Sequence, residues 1–220
     1  MKKIVLFLLV IVSIFALGGC SGEKKLPAPE LESGIRGEQF GIDKNINEST
    51  IDQYLNRSDA VYRDVRMLVD PAKYENIGGD SYMSGFVKGF EVVSYPYLVN
   101  VKGLPEAIGD TYTGTTLFTQ NDDGTIVANY KESMEILEYL FPKDKVIFLM
   151  CGAGGYAGMT KALLVSLGWD ANKIYNVGGY WYYEGDNAVI TKRVNDKGET
   201  VYDFYKVNYH NIDFTSLTLK

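Results

Sequence analysis

Val146 to Met150 is an unbroken apolar run that ends at Cys151 and meets glycine at once: Gly152-Ala153-Gly154-Gly155-Tyr156. Ala157–Leu167 then follows with helical patterning, and Gly168 stands where a left-handed C-terminal cap belongs. A short, wholly apolar run between turn signals predicts a central parallel strand buried on both faces. A strand, a glycine turn and a helix in that order constrain the chain to an α/β arrangement, because parallel strands need crossover connections.

Other segments supply the partners. Ala60–Val65 reads as a strand, with Asp64 and Arg66 at its C-terminal end. Lys173–Val177 reads as another, and Phe90–Val99 contains one. Lys131–Phe141 carries Met134, Ile136, Leu137 and Leu140 at helical spacing, and Pro142 ends it. Ser49-Thr50-Ile51-Asp52 has the form of a capping box opening a short helix through Leu55. Asp123-Gly124 lies between two β-type runs and predicts a hairpin. The tail AVITKRVNDKGETVYDFYKV predicts a second hairpin turning at Asn195 to Gly198. Residues 70–115, rich in Gly, Tyr and Pro, give no clear pattern. The fold class is α/β: a central, mostly parallel sheet flanked by helices, with hairpin additions.

The N-terminus is of another kind. Lys2 and Lys3 precede the apolar run Ile4–Leu17, which is too short for an ordinary membrane span. It closes with Leu17-Gly18-Gly19-Cys20, which resembles a bacterial lipobox. That resemblance implies that residues 1–20 are a lipoprotein signal peptide and that Cys20 is lipidated. Residues 21–44, polar with Pro27 and Pro29, read as a flexible tether. Residues 45–220 are left as one domain with a C-terminal hairpin extension. The expected location is the cell membrane, lipid-anchored and facing outside the cytoplasm.

The chain has 2 cysteines. With Cys20 lipidated, Cys151 has no disulfide partner in the chain and stays a free thiol. The formal net charge is −6 and no basic run occurs, which argues against nucleic acid as a partner.

The glycine turn gives Cys151 its chemistry. Ligands bind at the carboxyl ends of strands in open α/β sheets. A tight turn there can aim backbone N–H groups inward, and the positive end of the following helix adds to their field. Such a cradle favours thiolate, the nucleophilic form, so an acidified Cys151 is expected. Gly152, Ala153, Gly154, Gly155, Tyr156 and Ala157 are the candidate substrate-binding loop. The only histidine, His210, is remote in sequence and reads as a surface or satisfied residue.

Two rival chemistries fit less well. Gly152-x-Gly154-x-x-Ala157 has the form of a dinucleotide fingerprint, but no acidic residue ends the next strand; Val177 runs into Gly178-Gly179. A cysteine phosphatase would want an arginine closing the loop, and Tyr156 stands there. No cofactor or metal ion is implied.

Three stretches together resemble the rhodanese-like family. DAVYRDVR, Asp59 to Arg66, resembles its first core strand ending in Asp-x-Arg. SGFVKGFEVVSYP, Ser84 to Pro96, resembles the segment usually written Gly-His-Ile-x-Gly-Ala, with Phe86 in place of histidine. Cys151 to Gly185 resembles the active-site loop, its helix and the closing Gly-Gly-x-Trp segment that ends in Trp181. The resemblance implies a rhodanese-like fold and sulfur transfer of the thiosulfate or polysulfide type, with a persulfide carried on Cys151. It implies a small sulfane-sulfur donor and a thiol acceptor as partners, and supporting roles for Asp64, Arg66 and Trp181. A monomer is expected. Catalytic members often carry a basic loop residue; Gly152, Ala153 and Tyr156 are uncharged, which favours a neutral donor, polysulfide or a protein persulfide. The alternative is a non-catalytic binding or redox-sensing module of the same family. Aromatic residues at Tyr95, Tyr97 and Tyr180 to Tyr183 read as packing or as an apolar rim on the site.

Overall fold

The structure, a computed structural model, describes residues 24–32, 41–67, 82–100 and 114–220. Fourteen short strands follow in chain order: β1 (Leu31–Glu32), β2 (Ile42–Asp43), β3 (Ala60–Asp64), β4 (Tyr82–Met83), β5 (Gly85–Val87), β6 (Glu91–Val92), β7 (Phe118–Gln120), β8 (Ile126–Ala128), β9 (Val146–Cys151), β10 (Ile174–Gly179), β11 (Ala188–Ile190), β12 (Lys192–Val194), β13 (Thr200–Tyr202) and β14 (Tyr205–Lys206). The helices are α1 (Tyr95–Leu98), α2 (Ser133–Leu140) and α3 (Gly155–Ser166).

The centre is a four-stranded sheet in the order β10-β9-β3-β6, with every pair parallel. The apolar run at β9 is buried on both faces, as its composition requires. Ile147, Leu149 and Cys151 face the α-helical side with Leu137 and Leu140 of α2 and Leu163 and Leu164 of α3. Phe148 and Met150 face the other side with Tyr62, Tyr175 and Ile51. On that side the rings of Tyr62, Phe148 and Tyr175 form a row across three strands, with centroids 5.2 Å apart in each pair. Such contacts stabilise beyond the area buried, and they account for two of the chain's 17 tyrosines.

The expected helices occur with ends shifted by one or two residues. Thr50 does not cap its turn: its hydroxyl donates back to the Asn45 carbonyl at 2.9 Å and accepts from the Asn47 N–H at 3.0 Å. Ile51–Tyr54 is accordingly one turn of 3-10 helix. The two expected hairpins are present as β7–β8 and β12–β13. The C-terminal tail continues past them as a strap. Tyr209 bridges Val92 in parallel, so residues around it cover the outer edge of β6, and Leu219 bridges Tyr130. Covering that edge removes a row of open backbone groups.

The N-terminal segment departs from the reading above. Residues 24–32 and 41–44 are not a free tether. The Lys24 carbonyl accepts from Arg57 Nη1 at 2.6 Å, and the Pro27 carbonyl accepts from the Tyr175 hydroxyl at 2.6 Å. Asp43 is fully buried, its carboxylate accepting from the N–H groups of Glu30, Asn45 and Ile46. Local polarity suggests a solvated linker; here the polar groups are satisfied by the domain and by one another. Cys20 and the apolar leader lie outside the described residues. Among the described residues no helix is long and apolar enough to cross a membrane.

Candidate active site

Cys151 is the last residue of β9 and only 2% exposed. The chain then turns through Gly152, Ala153 and Gly154 and enters α3 at Gly155. Gly154 sits at φ +99°, a left-handed conformation that side chains rarely adopt. That turn swings its N–H onto Cys151 Sγ at 3.0 Å. The backbone amides of Ala153 and Ala157 also favour negative charge on the sulfur. One backbone hydrogen bond and the field of two further amides therefore act on one atom at a helix N-terminus, an anion-binding arrangement.

The resting thiol is nevertheless not acidified. Complete burial pushes the Cys151 thiol above the ordinary cysteine range; the amides of Ala157, Ala153 and Gly154 pull the other way, and the Asp64 carboxylate adds a smaller upward push. This corrects the expectation drawn from the glycine turn. The donors are where they were expected, but desolvation of the charged form outweighs them.

The six loop residues divide by task. Gly154 donates its amide to the sulfur, and the amides of Ala153 and Ala157 favour its charge. Gly152 presents its carbonyl outward, where it accepts from the Trp181 N–H at 3.1 Å. Gly155 opens the helix. Tyr156 is 7% exposed; its ring packs against Tyr95 at 5.6 Å and its hydroxyl reaches Met67 Sδ at 3.5 Å. It is thus a wall between α3 and the end of β3.

Asp64 and Arg66 are each 1% exposed and form a buried ion pair. Arg66 Nε donates to both Asp64 oxygens at 3.0 Å, and Nη2 donates to Oδ2 at 2.5 Å. Nη2 also donates to the Gly85 carbonyl at 2.9 Å, and the guanidinium lies 4.7 Å from the Tyr180 ring centroid. The pair ties the end of β3 to β5 and to the turn carrying Trp181. The atoms it touches are structural, and none belongs to the cysteine loop.

Gly179 pairs with Cys151 across β10 and β9, and a methyl group on it would lie 2.1 Å from the Gly152 carbonyl oxygen. The Gly178-Gly179 pair thus permits close backbone contact with the loop. Phe86 and His210, both noted in the sequence, lie away from the loop, and His210 is partnered as expected. Phe86 is half-buried in β5 opposite Val189, and His210 Nε2 is 2.9 Å from Glu91 Oε2, which Arg63 Nη1 also contacts at 2.8 Å.

Sequence reasoning missed Asn176. It is fully buried in β10. Its Nδ2 donates to the carbonyls of Gly41 at 2.8 Å and Gly154 at 3.0 Å, and its Oδ1 accepts from the Gly178 N–H at 3.0 Å. One amide side chain thereby fixes the cysteine loop, the neighbouring N-terminal segment and the Gly178 turn. The signal was present: a polar residue inside the apolar run Ile174–Val177 must find partners when buried.

Comparison of the chain with protein-family models, curated proteins and solved structures finds no match.

Proposed function

We propose that the chain is a rhodanese-like, lipid-anchored sulfurtransferase that carries sulfane sulfur as a persulfide on Cys151, outside the cytoplasm. The observation that carries this reading is the place of Cys151 Sγ at the N-terminus of α3, where it accepts from the Gly154 N–H at 3.0 Å and the amides of Ala153 and Ala157 favour its charge. Those donors suit a sulfur that is transiently anionic. The three stretches that resemble the family support it further. Asp64–Arg66, the Cys151 loop and Gly178–Trp181 are remote in sequence and adjacent at one end of the sheet.

With thiosulfate, the Cys151 thiol first gives its proton to water, and the thiolate attacks the outer sulfur. The new Cys–S–S⁻ bond forms as the S–S bond of the donor breaks, and sulfite leaves with that bond's electron pair. An acceptor nucleophile then takes the terminal sulfur, and the thiolate is restored. The amides of Ala153, Gly154 and Ala157 hold the anionic persulfide between the two steps. A loop without a fixed cation favours polysulfide or a persulfide over the dianion.

The burial of Cys151 and its raised pKa favour a second reading, a non-catalytic module that binds a partner or responds to oxidation. Sulfur transfer from thiosulfate and from polysulfide to cyanide separates the two. Turnover that disappears in Cys151→Ser supports the sulfurtransferase; no turnover with either donor supports the binding module.

A further inference from the structure

The segment just after the proposed lipid attachment is already part of the folded domain. Lys24 is bonded through its carbonyl to Arg57, its Nζ donates to Gln53 Oε1 at 3.3 Å, and it lies 4.9 Å from the Tyr54 ring centroid. Only residues 21–23 separate it from Cys20. However they are arranged, four residue steps span at most about 14 Å. A domain of this size is roughly 40 Å across. The arm is therefore too short for the domain to turn its far side to the bilayer.

Lys24 enters at a particular edge. Lys24, Lys25 and Pro27 line a cavity of about 900 Å³ together with Val146, Asn172 and Tyr175. Val146 begins β9, and Asn172 lies two residues before β10. This is the amino-end edge of the sheet, opposite Cys151. The Lys145 ammonium donates to the Ser58 carbonyl there, ahead of β3.

This edge is rich in lysine. Arg57 is paired with Asp59 and Lys143 with Glu138. Lys24 and Lys25 are exposed there, and Lys145 and Lys173 stand immediately before β9 and β10. Four lysines therefore gather at this edge, on a chain whose net charge is −6.

Resting on the lipoprotein reading above, we propose that this amino-end edge is a docking face for an anionic lipid surface. The domain sits on the bilayer by Lys24, Lys25 and the ends of the strands. Cys151, five strand steps or about 17 Å further along β9, opens away from the membrane. Its sulfur donors and acceptors are then taken from the aqueous phase, not from the bilayer.

The test uses the full chain, lipidated in cells and placed in vesicles of equimolar phosphatidylcholine and phosphatidylglycerol. A water-soluble acetylating reagent labels lysines, and mass spectrometry reads each position against the same protein in neutral detergent. Lys25 and Lys173 should label roughly fivefold slower on vesicles. Lys192 and Lys197 should not change: their hairpin follows β11, whose Ile190 pairs with Gly85 at the carboxyl-end side. A long Gly-Ser insertion between Gly22 and Glu23 should weaken the protection. Equal slowing at all four lysines, or at none, in a chain shown to carry lipid overturns the docking face and leaves the anchor standing. A chain that takes no lipid overturns both.

Discussion

The backbone N–H of Trp181 donates to the Gly152 carbonyl at 3.1 Å, and its indole lies against the same glycine. A methyl group at Gly152 would stand 2.6 Å from Trp181 Cζ2. Gly152→Ala must therefore displace the indole or the loop, at a cost of about 1–3 kcal/mol. Trp181→Ala should relieve most of that clash, so the double variant should be less than additive. Urea unfolding of the four forms measures the coupling. Strict additivity would show that the contact does not constrain the loop.

Asn176→Ala should be among the costliest single changes outside the apolar core. It leaves the Gly41 carbonyl and the Gly178 N–H without the Asn176 partner, while the Gly154 carbonyl keeps the Gly158 N–H at 3.0 Å. Unmet buried groups cost about 1–3 kcal/mol each, with some relief from water, so roughly 3 kcal/mol is expected. A loss below about 0.5 kcal/mol, within the range of ordinary surface changes, would refute its positioning role.

Asp64→Ala leaves the Arg66 guanidinium buried without its counterion. The expected loss is about 3–5 kcal/mol. Replacing both, as Asp64→Ala with Arg66→Met, should recover a large part of it. Chemical denaturation of the single and double variants distinguishes this from a simple packing defect, in which the double would be the worse.

The Cys151 thiol is held above the ordinary cysteine value by burial, with the loop amides opposing. The folded state therefore keeps its proton at pH values where the unfolded chain has lost it. The corresponding stability is fully present below the unfolded value, about 8.5. It falls as pH rises from there towards the folded value, because the unfolded state then binds fewer protons. Cys151→Ser should flatten that alkaline decline. Alkylation of the native thiol should likewise accelerate only above the ordinary range. An inflection below it would restore the acidified thiol inferred from the loop sequence.

Position 153 is the place to add a charge. Ala153 is half-buried on the loop, whereas Tyr156 is buried against Tyr95. Ala153→Arg should raise thiosulfate use roughly ten- to a hundredfold, since hydrogen bonds to charged groups are worth about 1.5–3 kcal/mol. Tyr156→Arg should destabilise the fold instead. Steady-state kinetics with thiosulfate, beside a melting curve for each variant, reads both effects.

Much of this arrangement was legible in the chain. Val146–Cys151 announced a strand buried on both faces, because only such a position tolerates six apolar residues in a row. The glycine turn announced amides directed at Cys151, because backbone geometry is local. What was not legible depends on tertiary contact. Nothing near Lys24 or Asp43 in sequence reveals Arg57 or the packed face that receives them. Asn176 looked like a strand residue until its three partners, from three segments, were in place. The thiol's pKa direction failed for the same reason: donors can be read from a motif, but the degree of burial cannot.

The central claim is that Cys151 holds a sulfane sulfur. Intact-mass measurement of the protein after incubation with polysulfide or thiosulfate, before and after cyanide, tests it most directly. The account predicts a gain of one sulfur atom that maps to Cys151, is absent from Cys151→Ser and is removed by cyanide with formation of thiocyanate. No mass gain from either donor, or a gain that persists in Cys151→Ser, would contradict it.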